Sequence, residues 1–183
     1  MEITGIQGEQ TMYTISPHLK GIYEKQMEER KERKPGPASR PIATVKGNAT
    51  IDVQFRAQVE GHSFISDERE SSGGHDAGPA PMRLFLSGIM FCQQVWMVKK
   101  FALMSVSPTK LDGEISWFND IPTPRIVYKI IVDSKTTDDN IKTVVDAGCK
   151  GCSAFQVAEK ATHIDVTVVH NGKTILEKAY GLK

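Results

Sequence analysis

Three cysteines are the side chains of this chain best suited to covalent work, and their spacing separates a lone thiol, Cys92, from a pair, Cys149-Lys150-Gly151-Cys152. A cysteine reacts as its thiolate, so its surroundings decide whether it is a nucleophile, a metal ligand or inert filling. Cys92 lies about three helical turns past Pro81, too far for a helix N-terminus to activate it. From its residues alone a buried, inert thiol is the simpler reading, and activation needs a cation from elsewhere in the fold. The pair has the spacing of a dithiol redox motif and of half a zinc site. A thioredoxin-like motif opens a helix after a strand, whereas this pair follows a predicted helix. A zinc site needs a second pair of ligands, and only Cys92 and five scattered histidines remain. His62, His75 and His163 have no sequence neighbours that would orient them as general bases, so each reads as structural or solvated. No nucleophile-elbow, Walker or dinucleotide fingerprint occurs, and Gly73-Gly74 with Gly78 is too irregular for a phosphate cradle.

The element that must position Cys92 is the stretch Gly73–Met104. Pro79 and Pro81 close a Gly-rich loop, and Pro81 suits the first turn of a helix, where a missing N–H and a fixed φ cost nothing. A helix is expected over Pro81–Met104. Between Leu84 and Val98 no residue is charged, and apolar residues cover every face at 100° per residue, which predicts a helix buried all round. The run is shorter than the roughly 18–20 residues of a membrane span and holds Ser87, Gln93 and Gln94. A chain of 183 residues struggles to surround such a helix, so a homodimer with a large apolar interface is expected.

Around this helix, Ile15–Lys34 reads as an amphipathic helix opened by Ser16-Pro17, with Leu19, Ile22, Tyr23 and Met27 on one side and a solvated, mixed-charge second half. The Pro-rich run at 34–41 ends it, which makes 1–41 an arm with a linker and 42–183 the main domain. Ile42–Ala57 alternates with Ile51, Val53 and Phe55 on a half-buried face, and a second strand follows over about Gln58–Ser66. Beyond the central helix, Pro108 and Asp112-Gly113 signal turns, and Glu114–Phe118 and Arg125–Val132 read as strands. Thr136-Thr137-Asp138-Asp139 offers N-caps and first-turn acids for a short helix with Ile141, Val144 and Val145 as its stripe, which Gly148 and Gly151 interrupt. Ser153–Lys160 continues helically with Phe155 and Val157 inward, and Ile164, Val166 and Val168 alternate before an Asn171-Gly172 hairpin. The order predicts an α+β fold with helices packed on antiparallel sheet.

Composition narrows the function classes. With 39% hydrophobic residues the chain can build a core. Its 23 basic and 22 acidic residues leave a net charge of +1, so no overall field steers it onto nucleic acid or anionic membrane. The start, MEITGIQGEQ, lacks the basic-then-apolar pattern of a secretory signal, so a cytoplasmic location is expected, where three cysteines do not form a structural disulfide framework.

One arrangement joins these observations. Gly61–Pro81 (GHSFISDERESSGGHDAGPAP), then a buried helix with Cys92 eleven residues past Pro81, and Cys152 twelve residues before Ile164, resembles the family of osmotically inducible protein C and organic hydroperoxide resistance protein (OsmC/Ohr) over about 49–170. The resemblance implies two intertwined chains, antiparallel sheets wrapped around the paired central helices, and two equivalent sites at the subunit boundary. It implies a thiol peroxidase of the oxidative stress response, with no metal or organic cofactor, in which Cys92 matches the peroxidatic cysteine and Cys152 the resolving one. A hydroperoxide would oxidise Cys92, the sulfenic acid would condense with Cys152, and an external dithiol would reset the disulfide. This sequence departs from the family pattern at three places. Where the family commonly carries a glutamate that holds an activating arginine, Met82 and Arg83 stand; Arg83 projects away from Cys92 on the same helix and could serve a partner's site. Ser153 replaces a proline after the resolving cysteine, and Cys149 is a possible alternative resolving thiol. Arg56 and Arg69 are candidates for the activating arginine, and Asp67, Glu68 and Asp76 for its carboxylate. The alternative to a peroxidase is a binding or redox-sensing protein on the same fold with little turnover, and a third reading places the CxxC and Cys92 in a metal site.

Overall fold

A computed structural model describes residues 13–32, 44–119 and 124–181. The predicted linker at 34–41 lies outside the described residues. The elements run α1 (His18–Glu32), β1 (Lys46–Ile51), β2 (Gln54–Val59), β3 (His62–Ser66), α2 (Pro81–Leu103), β4 (Lys110–Phe118), β5 (Arg125–Asp133), α3 (Asp138–Gly151), α4 (Ser153–Ala161), β6 (His163–His170) and β7 (Lys173–Tyr180). No helix among the described residues is long and apolar enough to cross a membrane.

The strands form two sheets, β1-β2-β3 and β4-β5-β6-β7. The second is antiparallel except at β5–β6, which pair in parallel from Arg125↔His163 to Val132↔His170. Parallel neighbours need a long crossover, and α3 with α4 is that crossover. Alternation along β5 and β6 buries Ile126, Tyr128, Ile130 and Val132 with Ile164, Val166 and Val168. Against them pack Ile141, Val144 and Val145 of α3, Phe155 and Ala158 of α4, and Ile89, Met97 and Phe101 of α2. Full burial of one such large apolar side chain contributes roughly 1.5–3 kcal/mol before entropy is counted. At the β6–β7 turn, Asn171 and Gly172 take φ of 47° and 81°, as a type I′ hairpin requires.

Several expectations are corrected. The stretch Ile42–Ala57 is not one strand: Asp52 takes a φ of 45° and turns the chain back, so β1 and β2 form a hairpin with a register irregularity between Ala49 and Ile51. Its side chains Ile51, Val53 and Phe55 are exposed, because no element among the described residues covers that face. Helix α2 starts at Pro81 as expected, with Ala80 as N-cap, but it is buried along one stripe, Leu86, Ile89, Gln93, Met97 and Phe101. Met82, Phe85, Phe91 and Val95 stay exposed, Phe91 at 58%. In α4, Val157 is 66% exposed, since residues two apart on a helix lie about 200° apart and the inward pair is Phe155 with Ala158.

Three glycines mean something other than punctuation. Gly113 lies inside β4, opposite Ile130, where a Cβ would meet Gln94 Nε2 and Met90 Sδ at 2.8 Å. Gly148 and Gly151 do not interrupt α3; a Cβ would meet Met97 Cγ at 2.8 Å in the first case and Trp96 Cδ2 at 2.5 Å in the second. All three let α2 lie directly on its neighbours' backbones. The arm packs there too: Tyr23 of α1 meets Trp96 edge-on at 5.8 Å, and Lys99 Nζ lies 4.9 Å from the Trp96 ring centroid. Ile22, expected on the same stripe, is exposed.

Candidate active site

The three cysteines converge where α2 crosses the junction of α3 and α4. Cys92 sits half-buried in the middle of α2, Cys149 in the last turn of α3, and Cys152 at the junction itself, fully buried. Cys152 ends α3 with ψ of 108° and is also the N-cap of α4, its Sγ accepting a hydrogen bond from the Phe155 N–H at 3.2 Å. Ser153, the residue where the resemblance calls for proline, thereby becomes the first residue of α4.

The protonation of these thiols has identifiable causes. Cys152 is pushed up to about 12, chiefly by burial and further by the neighbouring Cys92, and the N–H groups of Phe155 and Ala154 only partly oppose this. A helix N-terminus ordinarily favours a thiolate; here desolvation wins. Cys152 therefore holds its proton beside Cys92. All three thiols are free. Cys149 is raised by burial, while hydrogen bonds from Tyr180 and Gln93 and the charge of Lys178 favour its thiolate.

Sequence reasoning missed Gln93, Tyr128 and Tyr180. The Tyr128 hydroxyl donates to Gln93 Oε1 at 3.1 Å, and Gln93 Nε2 reaches Cys149 Sγ at 3.8 Å. Gln93 has no solvent exposure, so this connected chain of partners is what makes a buried amide tolerable. Burial raises Tyr128 well above the ordinary phenol range, and the charges that Cys149 and Cys152 would carry as thiolates raise it further. A glutamine inside an otherwise apolar helix was the available signal.

The other sequence candidates stand apart. Arg56, Arg69 and Arg83 are exposed, and no hydrogen bond or ion pair among the described residues joins them to Cys92. Asp67 is buried and accepts from Gln54 Nε2 (3.1 Å) and from the N–H groups of Glu68, His75 and Ala77 at 2.9–3.2 Å. Burial alone would raise its carboxyl, but those hydrogen bonds prevail and hold it below the ordinary carboxylate range. It organises the loop leading into α2. Glu68 is half-buried in that loop, and Asp76 is exposed with a φ of 52°. His62 is exposed, His75 lies 3.6 Å from Asp52 at the surface, and His163 keeps a buried Nδ1 without a partner.

A histidine that drew no notice, His170, bridges Asp138 (2.6 Å) and Ser134 (3.1 Å). The order of a hydrolase triad is present, but Ser134 Oγ already accepts from the Thr136 N–H, Asn171 Nδ2 also reaches His170 Nε2, and both Ser134 and His170 are buried. The cluster braces the β6–β7 turn against the start of α3. Among the described residues no three His, Cys, Asp or Glu side chains group closely enough to hold a metal ion.

No protein-family model matches this sequence, and no curated protein does. Solved structures do. An OsmC-like protein from Mycoplasma pneumoniae is 17% identical with a TM-score of 0.60, over 71% of this chain and 99% of its own. An organic hydroperoxide resistance protein OsmC from Legionella pneumophila is 14% identical with a TM-score of 0.51, over 72% and 98%. The organic hydroperoxide resistance protein OhrB of Bacillus subtilis is 16% identical with a TM-score of 0.50, over 70% and 97%. Nearly the whole of each neighbour is spanned, at identities where only architecture is shared, and with two sheets, a long central helix and paired cysteines at its flank this chain has the fold of the OsmC-like and organic hydroperoxide resistance proteins.

Proposed function

We propose that the protein is a cysteine-based peroxidase that reduces organic hydroperoxides or hydrogen peroxide through a Cys92–Cys152 disulfide. The observation that carries this reading is the approach of the two thiols: chain segments far apart in sequence bring a half-buried Cys92 against a buried, protonated Cys152. The Cys92 thiolate attacks the outer oxygen of the peroxide and the O–O bond breaks, releasing an alcohol once the departing alkoxide takes a proton. The sulfenic acid then condenses with the Cys152 thiol, whose proton leaves with the hydroxide as water. Because the fold holds the second thiol in place, that step is intramolecular and outruns over-oxidation. An external dithiol restores both thiols.

The active unit we assign is a homodimer in which residues 42–183 form the body and 1–41 an arm. Exposed Met82, Phe85, Phe91 and Val95 on α2, with Ile51, Phe55 and Phe64 on the first sheet, give a second copy two apolar surfaces to cover. Arg83 is exposed on the same helix, where it can serve the site of a second copy. The titration that tests this reading adds one equivalent of an organic hydroperoxide to the fully reduced protein and counts free thiols over seconds. Two thiols are expected to disappear together, and none in Cys92→Ser. Unchanged thiols in the wild type would instead favour the binding or redox-sensing alternative. Sedimentation at micromolar concentration is expected to show a dimer.

A further inference from the structure

The third cysteine is the part of the site that a two-thiol cycle leaves unused. Cys149 lines a cavity of about 310 Å³, at the end of α3 beside α4 and β7, whose walls include Asp146, Lys150, Glu159, Lys178 and Tyr180. Cys152 has no solvent exposure, whereas Cys92 is half-buried on α2. The three sulfurs thus form a series: Cys92 beside Cys152, and Cys152 three residues from Cys149, whose Sγ is reached by the Gln93 amide that Tyr128 also holds. Its outer members open to different surroundings.

Resting on the peroxidase reading above, we propose that Cys149 is the outlet of a three-sulfur relay, taking the disulfide from Cys92–Cys152 and presenting it as Cys149–Cys152 to a small external dithiol in this cavity. The local geometry permits the exchange. Residues three apart on a helix place their Cβ atoms about 5–6 Å apart, and a disulfide needs about 3.5–4.5 Å, so the last turn of α3 must tighten by an ångström or two. That turn is where the helix already ends: Cys152 has left helical geometry, and Gly151 separates it from Lys150. Burial and, to a lesser extent, Asp146 keep Cys149 a protonated thiol at rest, while the Tyr180 hydroxyl, the Gln93 amide and Lys178 are placed to stabilise its anion when it attacks or is released.

The steps balance. The Cys149 thiolate attacks the Cys152 sulfur of the Cys92–Cys152 bond and Cys92 leaves as a thiolate; one S–S bond forms as one breaks, the proton given up by Cys149 offsets the one Cys92 can take, and no electrons enter. The first thiolate of the dithiol then attacks the Cys149 sulfur, and Cys152 leaves and is protonated. The second thiol of the reductant resolves the mixed disulfide and frees Cys149. Two electrons pass from the dithiol, which departs as its own disulfide. Cys92 is free for the next hydroperoxide before the reductant has acted.

The test is rapid acid quench of the reduced full-length chain after one equivalent of tert-butyl hydroperoxide, with alkylation and peptide mapping at successive times. Cys92–Cys152 is expected first, giving way to Cys149–Cys152 with Cys92 free again. In Cys149→Ser the first disulfide forms at the wild-type rate and persists, and steady turnover with dithiothreitol falls about tenfold or more because the intramolecular outlet is gone. Tyr180→Phe, which removes a hydroxyl and no packing, is expected to slow the second disulfide severalfold and leave the first unchanged. A wild-type Cys92–Cys152 bond that never migrates, or Cys149→Ser turnover within about twofold of wild type, overturns the relay alone. A Cys92 that stays reduced under hydroperoxide overturns the peroxidase reading together with the relay's entry step.

Discussion

The two sheets each present apolar side chains on a face and end in opposite states. In the four-stranded sheet, Ile126, Tyr128, Ile130 and Val132 of β5 have no solvent exposure, because α3, α4 and α2 lie against them. In the three-stranded sheet, Phe55 and Phe64, which share a face through the Ala57↔Phe64 and neighbouring pairs, are 47% and 42% exposed. Alternation specifies that one face is apolar; it does not say who covers it. One half of this chain is complete within the protomer, and the other presents a surface that a second copy would cover under the proposed assembly.

Substitutions can break this contrast. Phe155→Ala in the complete half is expected to destabilise by about 3–5 kcal/mol at any protein concentration, as large-to-small core changes do. Phe64→Ala in the other half should do little to an isolated protomer, and its effect should appear as a shift in the concentration dependence of urea unfolding. If both variants unfold independently of concentration, the contrast between the sheets is not one of assembly.

Next in size is Gly151→Ala. Its Cβ would meet Trp96 Cδ2 at 2.5 Å, so it forces Trp96 and the arm's Tyr23 to move and costs about 1–3 kcal/mol by overpacking, read as a fall in the denaturation midpoint. Tyr128→Phe leaves Gln93 Oε1 without its donor inside the core, for about 1–2 kcal/mol, where the same loss at an exposed tyrosine would be silent.

The remaining effects are on pH, and they fall at opposite ends for the two halves. The folded pKa of Cys152 is raised from 9.0 to about 12, so its contribution to stability is fully present below 9 and is lost as pH rises through that window. That of Asp67, beside the three-stranded sheet, is lowered from 3.8; its contribution is present above 3.8 and is lost as pH falls through the folded value. Asp67→Asn should therefore be less stable than wild type at neutral pH and indistinguishable from it in strong acid. A stability difference that persists in acid would mean the carboxylate is not what organises the loop.

Which of these features could be read from the chain alone follows the range of the interaction. The start of α2 at Pro81, the Thr137 cap of α3 and the Asn171-Gly172 hairpin rest on a few adjacent residues, and each is where the sequence puts it. The periodicities of β5, β6 and α3 were equally legible. The parts that needed the tertiary structure all involve segments distant in sequence. Gly113, Gly148 and Gly151 read as interruptions because a missing side chain looks like a missing preference, yet each is an opening occupied by a side chain of α2. Gln93 counted in the sequence only as one of three polar residues against a membrane span; the fold sets Tyr128 and Cys149 on either side of it. The burial of α2 along one stripe, and the exposure of Phe91 and Phe64, were decided by where α3, α4 and the sheets lie. Local propensity and period determine what each segment is, because they act within a turn or a strand; which side chains meet is decided by packing between segments, which no window along the sequence contains.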